Sequence, residues 1–566
     1  MTCVGIDLGT TNSLVAVFDE NGPRLLPNAL GEMLTPSVVG VADDGRTMLI
    51  GKAARMRMAR HPDLTAARFK RLMGTTKKVS LGGREYTPVE LSAMVLKSLK
   101  TDAEAALGEP VSEAVISVPA YFNGLQRQAT KDAAEIAGLK VRRLINEPTA
   151  AALAAGVLDR EAESTFVVLD LGGGTFDVSI LEMFDGVMEV RASSGDAWLG
   201  GEDFTARIAQ HLAQKADMSW SALSAPDREK MVVLADDIKR RLSTAEESHV
   251  QTSIAGREVT LSLTPDEFND ATADLLARLR RPIEASLYDS GIDIDDIDRV
   301  ILVGGATRMA AVRAMAARIF RQLPDRAGDP DHAIALGAAV QAGLVARHEG
   351  LKDVVMTDVS PFSLGIEVAN EINGKFLENR FQPLIERNTI LPASRSDSFA
   401  TVQNNQTRIK VKILQGESAI ASENIMLGEI AVNVPRGERG KESIDVRFTY
   451  DVSGLLAVDV KVHSTGQNYS DVIDNLAAAM SEAEKAKRLK MMEALKIDPR
   501  DQAENVALME TLKHLHEMLL GEDREYLQQL IHTFQAALTT QDPRLIAAER
   551  DKLHDIARQI EENYVI

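Results

Sequence analysis

The sequence predicts a multidomain chain: two related α/β lobes, then a region of short strands, then a helical C-terminal segment. Three observations lead there. Tokens in the first 345 residues recur in the same order. From Ser360 to about Gly466, runs such as FATVQ and RIKVKIL alternate with turn residues, as short strands do. After Gly466 the chain becomes rich in Ala, Leu, Glu and Lys, a helical bias that continues to its end. A length of 566 residues is itself too great for one hydrophobic core.

The lobes follow from the repeats. Gly5–Val17, GIDLGTTNSLVAV, reads as strand, Asp-Leu-Gly turn and strand, and Val168–Ile180, VLDLGGGTFDVSI, has the same plan. AVISVPA (Ala114–Ala120) pairs with RVILVGGAT (Arg299–Thr307). NEPTAAALAAGVL (Asn146–Leu158) pairs with DPDHAIALGAAVQAGL (Asp329–Leu344), each an acidic-Pro helix start before an Ala-rich helix. One matching pair could be chance; three in order argue for two lobes of common ancestry. Two lobes with facing glycine turns make a cleft, the usual place for a ligand.

Bulk composition narrows the function classes. Net charge is −19, and the longest basic cluster is Lys239-Arg240-Arg241, so nucleic acid and anionic membranes are poor partners. The single cysteine, Cys3, excludes an intrachain disulfide and sits in an apolar strand start, where it reads as a small buried hydrophobe. The N-terminus has no basic region before a sustained apolar run, and no stretch of about 18 apolar residues occurs. A cytoplasmic, acidic protein is expected.

The glycine turns carry the chemistry. Phosphate binding needs several backbone N–H groups aimed at one point without side chains in the way, which glycine permits. Both turns lead back into a strand, and no GxxxxGK[ST] is present, so this is a hairpin clamp rather than a Walker loop. Asp7 and Asp170 occupy corresponding strand ends, where two facing carboxylates suit a hydrated Mg²⁺. Asp177 lies beyond the second turn, able to orient a water or a monovalent cation. The plain alternative, two ordinary hairpins with Asp as a turn former, is weakened because the turns match.

GIDLGTTNS, VPAYFNGLQRQATKDAAEIAGL, INEPTAAALAAG, LDLGGGTFDVS, GGEDF and ILVGGATRM together resemble the DnaK-type 70-kilodalton heat-shock chaperone family through the whole chain. The reduced length is similar to the bacterial branch typified by HscC. The resemblance implies an actin-like, two-lobed ATPase domain over 1–349, an interdomain linker over 350–359, a β-sandwich peptide-binding domain over 360–467 and a helical lid over 468–566. It implies ATP/ADP, Mg²⁺ and K⁺ as ligands, and an ATP hydrolysis that governs capture and release of extended hydrophobic peptides.

Carried over to this sequence, the resemblance implies a first phosphate clamp of Asp7, Gly9, Thr10, Thr11 and Asn12, and a second of Gly172, Gly173, Gly174 and Thr175. Lys70 would position the attacking water, although unaided it reads as a surface lysine. Glu147 and Asp170 would hold water and magnesium. Asp236, Lys239, Arg240 and Ser243, on one helix face by i, i+3/i+4 spacing, would form the adenosine wall opposite Gly304, Gly305 and Arg308. Gly200, Gly201 and Glu202 would complete the phosphate side, and Asp331 would close the rear. The chemistry is phosphoryl transfer to water, a matter of positioning and charge stabilisation.

In the second half the resemblance implies a groove lined by Ile366, Val368, Phe399, Ile409 and Val411, with Ala369 and Val402 as the arch above it. Here the small residue comes first in the arch, the reverse of DnaK, so peptide preference is expected to differ. Some of these positions also read as plain sandwich core. Asp353, Val354, Val355 and Asp358 match the linker, though Val354-Val355-Met356 alone reads as a first strand. Arg143, Asn146 and Asp358 match positions where a J-domain partner stimulates hydrolysis, and Pro148 matches a proline that switches with nucleotide state. Short segments at Gly74–Tyr86 and Ser243–Thr264 predict weak nucleotide retention and no need for a GrpE-type exchange factor. An actin-fold small-molecule kinase or a filament-forming ATPase is the alternative; neither has a use for the C-terminal half.

Overall fold

The computed structural model describes residues 2–58, 60–157, 163–184, 187–245, 247–325, 328–348, 351, 355–372, 375–451, 454–473, 499–519 and 521–563. The chain divides into two units, Met1–Phe362 and Ser363–Ile566.

In the first unit, two sheets share one plan. The first runs Lys140–Asn146, Val111–Val118, Thr2–Asp7, Asn12–Asp19, Gly22–Leu26, its first three strands parallel and the rest antiparallel. The second contains Arg299–Val303, Ser164–Leu171, Phe176–Phe184 and Val187–Asp196 in that order. Arg299–Val303 lies parallel to Ser164–Leu171 just as Val111–Val118 lies parallel to Thr2–Asp7. The sequence repeat is therefore a repeat of topology. The central strands are Val/Ile/Leu-rich and buried on both faces, as helix-covered parallel strands require.

The Ala-rich helices, Glu147–Val157 and Ala333–Val345, bury Ala150, Ala151, Ala338 and Ala342 against Val115, Val168 and Val303 in one cluster drawn from both sheets. Small side chains let these helices approach each other and the strands closely. The second helix begins at Ala333, not at Asp329-Pro330 as the capping pattern predicted. The Asp329 carboxylate is spent elsewhere: it accepts from the Asp331 backbone and from Arg308.

Val355–Val359 pairs in parallel with Val187–Glu189 and so joins the second sheet. The expected linker over 350–359 is thus in part a strand of the first unit, and the expected boundary at 349 moves to Phe362. Asp353 and Val354 lie outside the described residues.

The second unit is a sandwich of two four-stranded sheets followed by helices. One sheet runs Lys375–Ile385, Leu364–Ile372, Arg408–Gln415, Ile425–Asn433; the other runs Ala393–Ala400, Ser443–Tyr450, Leu456–Val462, Asn468–Ile473. Alternate residues such as Val446, Phe448, Val458 and Val460 fill the core between them. The last strand lies beyond the boundary expected at 467, because Asn468–Ile473 pairs with Leu456–Val462. Helices Ala503–Met518, Gly521–Thr540 and Pro543–Asn563 share a Leu-rich core. Asp542 caps the last of them through the Arg544 amide at 2.8 Å, with Pro543 opening the helix. Pro499, by contrast, opens only a 3₁₀ turn, and the helix waits until Ala503. Among the described residues no helix is long and apolar enough to cross a membrane.

Candidate functional site

The two glycine turns face each other across a cavity of about 390 Å³. Asp7, Gly9, Thr10, Thr11 and Asn12 line it from one side, and Asp170, Gly172, Gly173 and Thr175 from the other. The remaining walls hold Lys70, Glu147, Gly201, Glu202, Asp236, Lys239, Arg240, Ser243, Gly304, Gly305, Arg308 and Asp331, nearly all the residues expected there. Gly174 and Gly200 sit just behind the lining. A Cβ on Gly173 would stand 1.9 Å from the Thr11 hydroxyl, and one on Gly174 would stand 2.7 Å from the Thr10 hydroxyl. Gly173 and Gly174 lack side chains because groups of the other lobe press directly on their backbone.

Sequence reasoning missed an apolar part of the wall: Leu14, Leu34, Ala306, Met309, Pro330 and Ile334, together with Thr244. All but Leu34 and Thr244 lie inside the recognised runs, where their apolar character gave no sign of a ligand. On the facing helix, Ala225–Arg241, Asp236 pairs with Lys239 at 3.0 Å and with Arg240 at 2.8 Å, as the spacing predicted. Ser243 lies past the end of that helix, in the following turn, yet still reaches the cavity. The Lys239 ammonium also donates to the Gly201 carbonyl and the Thr205 hydroxyl, so it ties two helices together. Arg308 is held by Asp329 at 2.5 Å and Asp331 at 2.9 Å, with its guanidinium at the cavity wall.

The charged centre is buried. Lys70, expected at the surface from sequence alone, is 3% exposed and donates to Glu147 at 2.8 Å. Glu147, Asp170 and Asp177 offer carboxylate oxygens that all lie within 4.8 Å of one another. Asp170 and Asp177 are directly opposed in the hairpin register, which is why they converge. Asp177 thus joins Asp170 and Glu147 in one cluster, and Asp7 accepts from the Ser117 hydroxyl at 2.8 Å beside it. Burial, then the charge of Glu147, raises Asp177 to about 8 and pushes Asp7 and Asp170 well up. The Cys3 thiol is raised to about 11 by burial, in keeping with an inert hydrophobe.

A polar path leaves this centre. Asn146, next to Glu147, donates from its amide to both oxygens of Asp358, at 3.0 and 2.9 Å, and accepts from Arg127 at 2.6 Å. Arg143 adds favourable charge to Asp358, whose carboxyl is nonetheless pushed up by burial. Pro148 occupies the first turn of the helix Glu147–Val157. Arg127 was not anticipated.

In the second unit, Ile366 and Val411 are core residues of the sandwich, 3% and 2% exposed, so the plain core reading holds for these two. Val368, Phe399 and Ile409 are only partly buried against that core. Ala369 is half-buried at a bulge between Val368 and Asn370, and Val402 is half-buried in the loop after Ala400.

The family model described as Hsp70 protein matches residues 3–80 and 75–565. The chain belongs to the Hsp70 family. Hsp70 proteins are ATP-dependent chaperones that bind ATP or ADP with Mg²⁺, hydrolyse ATP and take hydrophobic peptides. The donor set here fits magnesium: three converging carboxylates against Lys70, with Asp170 Oδ2 and Asp177 Oδ2 buried and without a hydrogen-bond partner among the described residues.

Proposed function

We propose that this Hsp70 chain is an HscC-like, peptide-coupled ATPase, working in the cytoplasm, in which hydrolysis in the first unit governs capture and release of extended hydrophobic segments by the sandwich. The contact of Asn146 with Asp358 carries this reading, because it ties the strand leading to the second unit to the residue beside Glu147.

The residues divide the work. Backbone amides of Thr10–Asn12 and Gly172–Thr175 would hold the phosphates from two sides, where the glycine backbone is open to close approach. Asp7 and Asp170, through waters, would hold Mg²⁺, which when bound neutralises phosphate charge. Glu147 and Thr175 would orient the attacking water, and Lys70 would set its positive charge against the γ-phosphate. Asp236, Arg240 and Ser243 would meet the adenosine while Arg308 stacks on the purine. Asp177 would favour a monovalent cation such as K⁺ near the same carboxylates.

Val368, Phe399 and Ile409, half-buried against the sandwich core, would meet a peptide side chain, with Ala369 and Val402 as the arch. A J-domain partner would act at Arg143, Asn146 and Asp358. The short hairpin of Ser248–Ile254 and Arg257–Leu263 supports fast nucleotide release without a GrpE-type factor. Stopped-flow release of labelled ADP tests that point: fast release, indifferent to such a factor, is expected, and slow release accelerated by it would contradict it. Phosphate transfer to a sugar in place of water would favour the kinase alternative.

A further inference from the structure

Lys70 sits in a 3₁₀ turn, Phe69–Leu72, too short to fix a buried ammonium by itself. Its neighbours supply the anchorage, and they do so from the opposite lobe. Arg71 forks onto Asp203, with contacts of 3.2, 3.2 and 3.1 Å. Arg68, in the left-handed region at φ 62°, reaches Glu202 at 2.5 Å. Glu202 and Asp203 are consecutive residues in the first turn of the helix Gly201–Lys215. That turn is itself bound to the second clamp: the Gly201 and Glu202 amides donate to the Gly172 and Gly173 carbonyls, both at 2.9 Å.

Two further contacts locate Arg71. Its Cγ lies 2.9 Å from where a Gly174 Cβ would stand, so the stem of the side chain rests on the third glycine of the triplet. Its guanidinium lies 5.7 Å from the ring centre of Trp198. One arginine is thus fitted simultaneously to Gly174, Trp198 and Asp203, all in the second lobe, and is bonded through the chain to Lys70.

We propose that Arg71 is a positioning residue that makes the placement of Lys70 depend on closure of the two lobes. When the jaws meet, the fork to Asp203 pins the turn and aims Lys70 at Glu147; when they part, the turn loses its external anchor. Arg68 with Glu202 is the second pin of the same device. This rests on the ATPase reading above and identifies a group that acts through Lys70 without touching nucleotide.

The test is single-turnover ATP hydrolysis by the full-length chain, alongside ATP affinity by equilibrium dialysis. Arg71→Ala should slow hydrolysis by about 10²-fold, the scale of a 1 Å misplacement, with affinity changed no more than about threefold. Asp203→Asn breaks the same fork while keeping an acceptor for the Gly200 amide, so the helix start survives and the variant covers any failure of Arg71→Ala to fold. The double variant should be no slower than Arg71→Ala alone, and Arg71→Lys, which restores charge without the fork, should recover only part of the rate. An unchanged rate, an equal loss of rate and affinity, or additive effects would overturn the proposal while leaving the ATPase reading intact. Absence of hydrolysis by the unsubstituted chain would instead overturn that reading, and this proposal with it.

Discussion

The side-chain amide of Asn146 donates to both carboxylate oxygens of Asp358, in a setting where that carboxylate is buried beside Arg127 and Arg143. Asn146 ends the strand Lys140–Asn146, and Glu147 begins the helix after it, so one peptide unit separates this contact from the Lys70 ion pair. The strand Val355–Val359 is therefore tied through Asn146 to the residue that pairs with Lys70. Asp358→Asn keeps the shape and removes the charge. Basal ATP hydrolysis should stay within about threefold, while stimulation by peptide should largely disappear, since coupling contacts of this kind are worth about 1–3 kcal/mol. Steady-state phosphate release with and without peptide checks it; retained stimulation would remove Asp358 from the path.

Lys70→Ala removes the lysine that pairs with Glu147 in the cluster of three carboxylates. ATP binding should persist, because the clamps are mostly backbone, but single-turnover hydrolysis should fall by about 10²–10³-fold, the usual loss for one preorganised charge. The metal-free variant should also lose about 3–5 kcal/mol of stability, since Glu147 is left buried and unpaired. Urea unfolding measures the second effect, and added ADP with Mg²⁺ should recover much of it.

Stability without metal should fall as pH rises. Asp177 is held up to about 8, and Asp7 and Asp170 are pushed up with it, against an unfolded value near 4. Between those values the folded chain keeps protons that the unfolded chain has lost, so the contribution is full below about pH 4 and fades toward about pH 8. Urea midpoints in chelator across this range should decline, and Asp177→Asn should flatten the decline. A slope unaffected by that substitution would contradict the assignment.

Gly173→Ala adds a methyl where the Thr11 hydroxyl already stands. The jaws could then meet only by displacing Thr11, at a cost of about 1–3 kcal/mol. ATP affinity should weaken by about 5- to 150-fold, and pairing the change with Thr11→Ala should recover part of it. Equilibrium dialysis of the single and double variants gives the comparison.

Much of this arrangement was legible in the sequence because it is local. The matched turns at Asp7 and Asp170 revealed two lobes and the cleft between them, and the spacing of Asp236, Lys239 and Arg240 revealed a helix face. What could not be read were relations set by folding at a distance. Lys70 reads as one cation in a basic patch until the fold buries it against Glu147. Asp177 reads as a lone carboxylate until strand register sets it opposite Asp170. The run at Val355 has the same β pattern whether it starts a new domain or joins an existing sheet, and only its pairing with Val187–Glu189 decides. Asp329-Pro330 carries a helix-start pattern, but Arg308 claims the aspartate first.

The central claim is that nucleotide hydrolysis and peptide capture are coupled in this chain. Steady-state ATP hydrolysis by the full-length protein, measured with and without an extended hydrophobic heptapeptide, tests it most directly. The account predicts a saturable rise in rate with peptide that is lost in Asp358→Asn. A rate indifferent to peptide, accompanied by phosphate transfer to a sugar, would contradict it.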